Sequence, residues 1–183
     1  MTNTPRERDD AALVAAILGG DGRSFSELMG RHKDGLYRLI RRYVGDDDEA
    51  YDLLQETFAS AWNAMRDFDA NKPIIGWLRR IALNKCRDWS RRRKVRRFFY
   101  GARALESSLN IETPAVENNE PALARLDIAI ASLPAALKEP LLLTQIEGLS
   151  HKEAAELLNL SPKAIEVRVY RAKRALEAAL SGT

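Results

Sequence analysis

The 183-residue sequence has few of the residues that mark several classes of protein. It contains one cysteine, so no internal disulfide can form, and its two histidines, His32 and His151, are far apart and give no metal-ligand spacing. The longest apolar run, 11–18, is much shorter than the roughly 20 residues of a membrane span. The start of the chain lacks the basic and apolar segments of a secretory signal. We therefore expect a cytoplasmic protein without a metal ion or other cofactor.

The net charge is only +3, but the charges are unevenly distributed. Residues 79–97 contain ten basic residues and one acidic residue, and residues 161–174 contain five basic residues and one acidic residue. Residues 45–56 contain six acidic residues. Two basic segments on a nearly neutral chain indicate a polyanion contacted at two places, although either segment taken alone is equally often a solvated helix face.

Helical periodicity dominates the sequence, and no stretch shows sustained strand alternation. We predict an all-α protein with two small helical domains, 1–97 and 122–183, joined by a flexible linker, 98–121, that is acidic and contains proline, asparagine and serine. In the first domain, Ser24 is expected to cap the second helix, and a helix that begins at Ile74 is expected to end near Arg93.

The predicted helix ending near residue 66 separates apolar from polar side chains. Its apolar stripe consists of Leu54, Phe58, Ala61, Trp62 and Met65. Its opposite face consists of Asp52, Gln55, Glu56, Ala59 and Asn63. Such a polar face is most often simply solvated, and the alternative is a docking surface for another protein.

The next helix carries a face of basic and amide side chains with few acidic residues to offset them. Arg80, Asn84, Arg87 and Arg91 line up at spacings of four, three and four. Arginines so arranged can meet phosphates, and an asparagine can hydrogen-bond a base edge. Phe68, Trp77 and Trp89 are expected mainly in the core, with stacking on an unpaired base as the alternative. Cys86 is predicted to be a buried thiol.

The C-terminal segment has the local signals of a helix-turn-helix. Ser150 and Glu153 form a capping box, Ser161 caps the next helix, and Pro162 occupies its first position. The second helix is expected to bury Ile165, Val169, Ala172, Leu176 and Leu180. Its outward face carries Lys163, Val167, Tyr170, Arg171 and Arg174, with Glu166 and Arg168 flanking. Pro140 is expected to start or kink a turn.

These segments together resemble the extracytoplasmic-function (ECF) sigma factors of the sigma-70 family. Residues 52–58 with Trp62 resemble region 2.2, and residues 77–84 with Asp88 and the arginine run resemble regions 2.3 and 2.4. Region 4 is resembled by residues 133–134, 147–150, 153–155 and 168–176. The pair Lys163-Ala164 departs from the common Gly-Thr, so the base preference of the recognition helix does not carry over.

The resemblance implies an alternative sigma factor that binds core RNA polymerase, reads and melts the minus-ten promoter element and binds the minus-thirty-five element. It implies polymerase binding on the clamp helices of the largest catalytic subunit through Asp52, Gln55, Glu56, Ala59 and Asn63. It implies minus-ten binding through Phe68, Lys72, Trp77, Arg80, Asn84, Arg87 and Arg91. It implies minus-thirty-five binding through Lys163, Ala164, Glu166, Val167, Arg168, Tyr170, Arg171 and Arg174.

The resemblance also implies an anti-sigma partner and no catalysis by the chain itself. Two other functions are consistent with parts of the sequence. A stand-alone helix-turn-helix regulator would bind an operator without polymerase. An enzyme such as a nuclease is disfavoured because the histidines lie in different predicted domains and no metal-ligand spacing appears.

Overall fold

The computed structural model describes residues 9–104 and 121–181, and all regular secondary structure in these two ranges is helical. In chain order the α-helices are α1 (Asp10–Leu18), α2 (Gly22–Val44), α3 (Asp47–Asn63), α4 (Ile74–Ala104), α5 (Pro121–Ser132), α6 (Ala135–Leu141), α7 (His151–Leu158) and α8 (Pro162–Ser181). The predicted all-α fold class is confirmed. We call residues 9–104 the N-terminal half and residues 121–181 the C-terminal half.

Aspartates cap the first three helices, because a carboxylate can accept hydrogen bonds from the backbone amides that a helix start leaves unpaired. Asp9 caps α1, Asp21 caps α2 and Asp46 caps α3. The expectation that Ser24 caps α2 was wrong. Asp21 Oδ1 accepts from the Arg23 amide at 3.0 Å, and the Ser24 hydroxyl donates to Asp21 Oδ2 at 2.7 Å from inside the first turn.

The core of the N-terminal half forms where the apolar faces of α2, α3 and α4 meet. Its fully buried side chains include Leu39, Leu53 and Leu78. Trp62 departs from the predicted apolar stripe, since it is 48% exposed and meets Phe25 only edge-on, with 4.9 Å between ring centroids. The remainder of that stripe is buried as predicted.

The C-terminal half contains the predicted helix-turn-helix. The Ser150 amide donates to Glu153 Oε2 at 2.8 Å and the Glu153 amide donates to Ser150 Oγ at 3.2 Å, which completes the capping box of α7. Asn159, with φ of 55°, ends α7, and Pro162 begins α8. Asparagine tolerates this left-handed conformation better than most residues, so the turn between the two helices is tight.

The C-terminal half departs from regular α-helical geometry at Pro140 and Gly148, and from the predicted core at Leu180. Pro140 lies inside α6, and a π-helical turn, Leu142–Ile146, follows directly. Gly148, with φ of +70°, marks the chain reversal before α7. Leu180 was expected in the core but is 40% exposed, and it lies one residue before the end of α8.

Helix α4 is longer than its sequence pattern suggests. It continues through Ala104, beyond the predicted end near Arg93 and into the predicted linker. No proline or glycine interrupts residues 77–100, so nothing in the local sequence stops the helix there. Residues 105–120 of the predicted linker lie outside the described residues.

The two halves are packed against each other. Helix α5 and the π-helical turn pack on α2, and α7 packs on α4. The backbones also approach closely at Gly45, where an added Cβ atom would lie only 2.8 Å from the Cβ of Ala131. Gly45 has φ of +79°, so a glycine there permits both the helix-ending conformation and the close approach.

Candidate nucleic-acid interface

The acidic face of α3 is open to solvent along its whole length. All five residues predicted for polymerase binding, Asp52, Gln55, Glu56, Ala59 and Asn63, are exposed and lie on the side of α3 away from the core. Glu56 also lies 3.6 Å from Lys85 Nζ on α4. The α3 side chains Leu53 and Phe58 anchor this helix in the core, so the polar face is held on a rigid support.

The basic face of α4 contains the four residues predicted for it, and a hydrogen bond and an ion pair hold their polar groups. Arg80, Asn84 and Arg91 are exposed, and Arg87 is partly buried. Arg87 Nη1 donates to Asn84 Oδ1 at 2.9 Å, and Arg91 forms an ion pair with Asp88. The structure therefore brings these four predicted residues together on one face.

The aromatic side chains around the loop before α4 are mostly covered. Phe68 is buried, with its ring centroid 5.0 Å from that of the half-buried Trp77. Trp89 is buried and its indole N–H donates to Glu49 Oε2 at 2.7 Å, so Trp89 is a core residue as expected. Lys72, at the tip of the loop, is exposed and lies 3.2 Å from Asp69.

The outward face of α8 is open to solvent. Its exposed members are Lys163, Glu166, Val167, Tyr170, Arg171 and Arg174, and Ala164 and Arg168 are half-buried beside them. Tyr170 is 63% exposed. Lys163 pairs with Glu166 at 2.9 Å, and this hydrogen-bonded ammonium lowers the pKa of the Glu166 carboxyl. The face combines cations for phosphates with apolar groups that suit a thymine methyl.

Two ion pairs join the basic side of α4 to the C-terminal half, and no pattern in the sequence predicts them. Arg87 donates to both Glu139 carboxylate oxygens, at 2.7 Å and 2.5 Å. Arg79 donates from Nε at 3.1 Å and from Nη2 at 2.7 Å to one oxygen of Glu147. We call these the cross-domain ion pairs. The Glu139 carboxylate raises the pKa of Arg87.

A buried lysine also joins the two halves. Lys138 Nζ donates to the Tyr43 carbonyl at 2.9 Å and to the Ala131 carbonyl at 2.5 Å, and it lies 4.5 Å from the centroid of the Tyr43 ring. These carbonyls belong to the last turns of α2 and α5, where helices leave acceptors unpaired and carry partial negative charge. Burial lowers the pKa of Lys138 to about 8.

The groups that could suggest other chemistry have structural surroundings. Cys86 is buried as predicted, and burial raises the pKa of its thiol. His32 lies 2.8 Å from Asp10, and His151 is the first residue of α7. Within residues 9–104 and 121–181, no group of three or more histidine, cysteine or acidic side chains could hold a metal ion. Among the helices of the described ranges, none has the length and apolar character needed to cross a membrane.

Comparison with known proteins identifies both halves. Residues 28–96 match Sigma-70 region 2, and residues 123–176 match Sigma-70, region 4. The RNA polymerase sigma factor CnrH of Cupriavidus metallidurans is 38% identical, with 95% of each chain covered. The ECF RNA polymerase sigma-E factor of Haemophilus influenzae is 28% identical, over 92% of this chain and 93% of its own. The structure of CnrH in complex with the cytosolic domain of CnrY superposes with a TM-score of 0.72 at 34% identity, covering 94% of this chain and 97% of that one.

Proposed function

The chain belongs to the sigma-70 family of RNA polymerase sigma factors, in its ECF class, and from that membership we propose which of its surfaces carry out initiation. The chain is an alternative sigma factor that directs promoter-specific transcription, and its relatives favour this function over a stand-alone helix-turn-helix regulator. Sigma factors are non-catalytic subunits. We infer that this chain likewise leaves the chemistry to polymerase and acts in the cytoplasm, where polymerase and chromosome are found.

We propose that the acidic face of α3 docks on the clamp helices of the largest polymerase subunit. The five residues of this face are exposed together, and the helix beneath them is anchored by buried Leu53 and Phe58. An acidic and amide surface suits a basic partner, because complementary charge speeds encounter and fixes the register of docking. Asp52 and Glu56 supply the charge, and Gln55 and Asn63 supply hydrogen bonds.

We propose that α4 and the loop before it read the minus-ten element. Arg80, Asn84, Arg87 and Arg91 share a face that can follow a phosphate backbone and present one amide to a base edge. Phe68, Trp77 and Lys72 lie at the end of this face, around the loop. Stacking of an unpaired base on an aromatic ring contributes about 1–3 kcal/mol per base, which offsets the few kcal/mol needed to extrude it.

We propose that α8 enters the major groove at the minus-thirty-five element. The observation that carries this proposal is the outward face of α8, six of whose eight residues are exposed, on a helix held by a capped helix-turn-helix. Its first residue, Lys163, follows Arg91 of the α4 face by 72 positions. Each good bidentate contact to a base discriminates by about 1–3 kcal/mol. Arg171 and Arg174 are the best placed to make such contacts, because both are exposed and one helical turn apart.

We also propose a protein partner of the anti-sigma class. The supporting observation is that the CnrH chain, which shares 34% identity and the fold, has been solved in complex with the cytosolic domain of CnrY. A partner of that kind would control how much of the chain is available to polymerase.

Run-off transcription with purified core polymerase and a library of genomic promoter fragments tests the proposal. The wild-type chain should give discrete transcripts that depend on both core polymerase and the chain. Arg171→Glu/Arg174→Glu should lose these transcripts but still bind core polymerase. Lys33→Glu/Arg38→Glu, two exposed positions on α2, is the control with the same charge change. Normal transcription from the α8 variant would contradict the assignment of the recognition helix.

A further inference from the structure

We infer that Lys163 and Glu166 act together on α8 and select a G·C base pair in the minus-thirty-five element. In this assignment Glu166 accepts a hydrogen bond from N4 of cytosine, and Lys163 donates to O6 and N7 of guanine. The inference rests on the proposed role of the α8 face and goes beyond it, because it names one base pair that the face selects and the two side chains that select it.

The two side chains lie where a recognition helix meets base edges. Base contacts in a helix-turn-helix come from the N-terminal residues of its second helix, and Lys163 and Glu166 are the second and fifth residues of α8. The Ser161 hydroxyl oxygen accepts from the Ala164 amide at 3.1 Å and so fixes this end of the helix. The Lys163 side chain is 75% exposed and the Glu166 side chain is 55% exposed. Both are therefore accessible to a duplex.

Glu166 is the one acidic residue among the eight assigned to the minus-thirty-five face. A carboxylate beside the basic residues of this face weakens their attraction to phosphates. The helix does not need it for its start, because Glu166 lies beyond the first turn, to which the effect of the helix dipole is confined. An exposed ion pair also adds little to stability. A base edge that offers a donor gives this carboxylate a function on the DNA face.

The charge of Glu166 limits the bases that it can contact. The Lys163 ammonium lies 3.0 Å from Oε1 and 2.9 Å from Oε2 of Glu166, and this contact lowers the pKa of the Glu166 carboxyl. The side chain is therefore ionised at neutral pH, and a carboxylate accepts hydrogen bonds but cannot donate them. The donors in the major groove are N4 of cytosine and N6 of adenine. Glu166 can therefore contact cytosine or adenine.

The neighbouring atoms of the base pair distinguish cytosine from adenine. In an A·T pair the N6 donor lies between two acceptors, N7 of adenine and O4 of thymine, and both repel a carboxylate placed over N6. In a G·C pair the N4 donor lies at one end of the edge, and the acceptors O6 and N7 of guanine lie together beyond it. This division matches one ammonium beside one carboxylate. The Lys163–Glu166 pair therefore favours G·C over A·T.

The spacing of the two side chains also fits a single base pair. Guanine O6 and cytosine N4 are joined by a hydrogen bond, so they lie about 2.9 Å apart. Lys163 Nζ and Glu166 Oε2 are separated by the same distance, 2.9 Å. The ion pair can therefore lie over these two atoms without being broken. The second hydrogen of N4 points into the major groove towards the carboxylate, and O6 has a second lone pair for the ammonium.

Run-off transcription from a promoter library with a randomised minus-thirty-five element tests the inference. Each transcript carries a barcode that identifies its promoter, and core polymerase is supplied with the wild-type chain or a variant. The wild-type chain should select G·C over the other base pairs at least tenfold at one position. Glu166→Ala should lose that preference and keep the preferences at other positions. Glu166→Gln should shift the same position towards A·T, because an amide can pair with both N6 and N7 of adenine.

Glu177→Gln is the matched control, because Glu177 is exposed on the same helix and lies 3.9 Å from Arg174, a basic residue three positions away. It makes the same charge change as Glu166→Gln and should leave the G·C preference unchanged. Lys163→Met should weaken the preference at the position that Glu166→Ala affects. A preference that survives Glu166→Ala, that is lost equally in Glu177→Gln, or that Lys163→Met changes only at another position would overturn the inference. If circular dichroism shows that Glu166→Ala unfolds, Glu166→Gln decides the point.

Selection of a randomised duplex pool by the full chain alone separates this inference from the proposed function. The α8 face is exposed, so this selection needs no polymerase. Enrichment of G·C that Glu166→Ala abolishes, without transcripts from any promoter, would support the base assignment and overturn the proposed function. Transcripts whose promoter preference does not depend on Glu166 would overturn the base assignment alone. A chain that gives neither enrichment nor transcripts would overturn both.

Discussion

Replacing Gly45 with alanine should destabilise the chain in two separable ways. Gly45 has φ of +79°, and a side chain in that conformation costs about 1–2 kcal/mol. The new Cβ would also lie 2.8 Å from the Cβ of Ala131. Both atoms are attached directly to backbone and cannot rotate away, so overpacking adds about 1–3 kcal/mol. The expected loss in the free energy of unfolding is therefore about 2–5 kcal/mol.

A double-mutant cycle distinguishes the two contributions. Urea denaturation is measured for wild type, Gly45→Ala, Ala131→Gly and the double variant. Ala131→Gly costs up to about 1 kcal/mol by itself, because glycine is a poor helix residue. In that background the clash is absent, so Gly45→Ala should cost only the backbone strain, which gives a coupling energy of about 1–3 kcal/mol. An equal cost of Gly45→Ala in both backgrounds would refute the close approach of the two halves at this point.

Three further predictions each concern one site in the chain. Gln55→Ala/Glu56→Lys should weaken binding to core polymerase at least tenfold while the chain stays folded by circular dichroism, and unchanged co-elution in size exclusion would contradict the docking face. Ser150→Ala should lower the free energy of unfolding by about 1 kcal/mol through loss of the capping box, as measured in urea. Because the pKa of Lys138 is lowered from its ordinary 10.5 to about 8, the unfolded chain holds this proton more tightly, and stability should rise with pH above 8. Relative to Lys138→Met, the wild type should gain about 1 kcal/mol between pH 7 and pH 9 in urea titrations, and parallel pH profiles would contradict this.

The features that the sequence predicted well are set by local chemistry. The turn between α7 and α8 follows from Ser150 and Glu153 on one side and Pro162 on the other, each acting within a few residues. The burial of Cys86 follows from its place on the apolar side of α4. Such signals act over one or two helical turns, so they can be recognised without knowledge of the rest of the fold.

The features that the sequence did not predict depend on competition between neighbouring residues or on contacts between distant parts of the chain. Ser24 and Asp21 are both good capping residues. Asp21 comes first in the chain and caps α2, so Ser24 lies inside the first turn. Trp62 has the right spacing for the core, but it lies at the margin of the stripe.

The cross-domain ion pairs had no local signal at all. Arg87 and Glu139 are 52 positions apart, and Arg79 and Glu147 are 68 positions apart. One hint was present in the sequence, since Lys138 and Glu139 lie between apolar residues of α6 where exposed side chains would be unusual. Burial of charged residues requires partners, but the sequence did not identify them.

The most direct test of the central claim is permanganate footprinting on a promoter selected by the run-off library. Core polymerase with the wild-type chain should make thymines in the minus-ten region reactive, and neither component alone should do so. Reactivity lost in Arg80→Ala/Trp77→Ala would assign melting to the α4 face. A chain that protects the promoter without polymerase, and opens no bases when polymerase is added, would contradict the account.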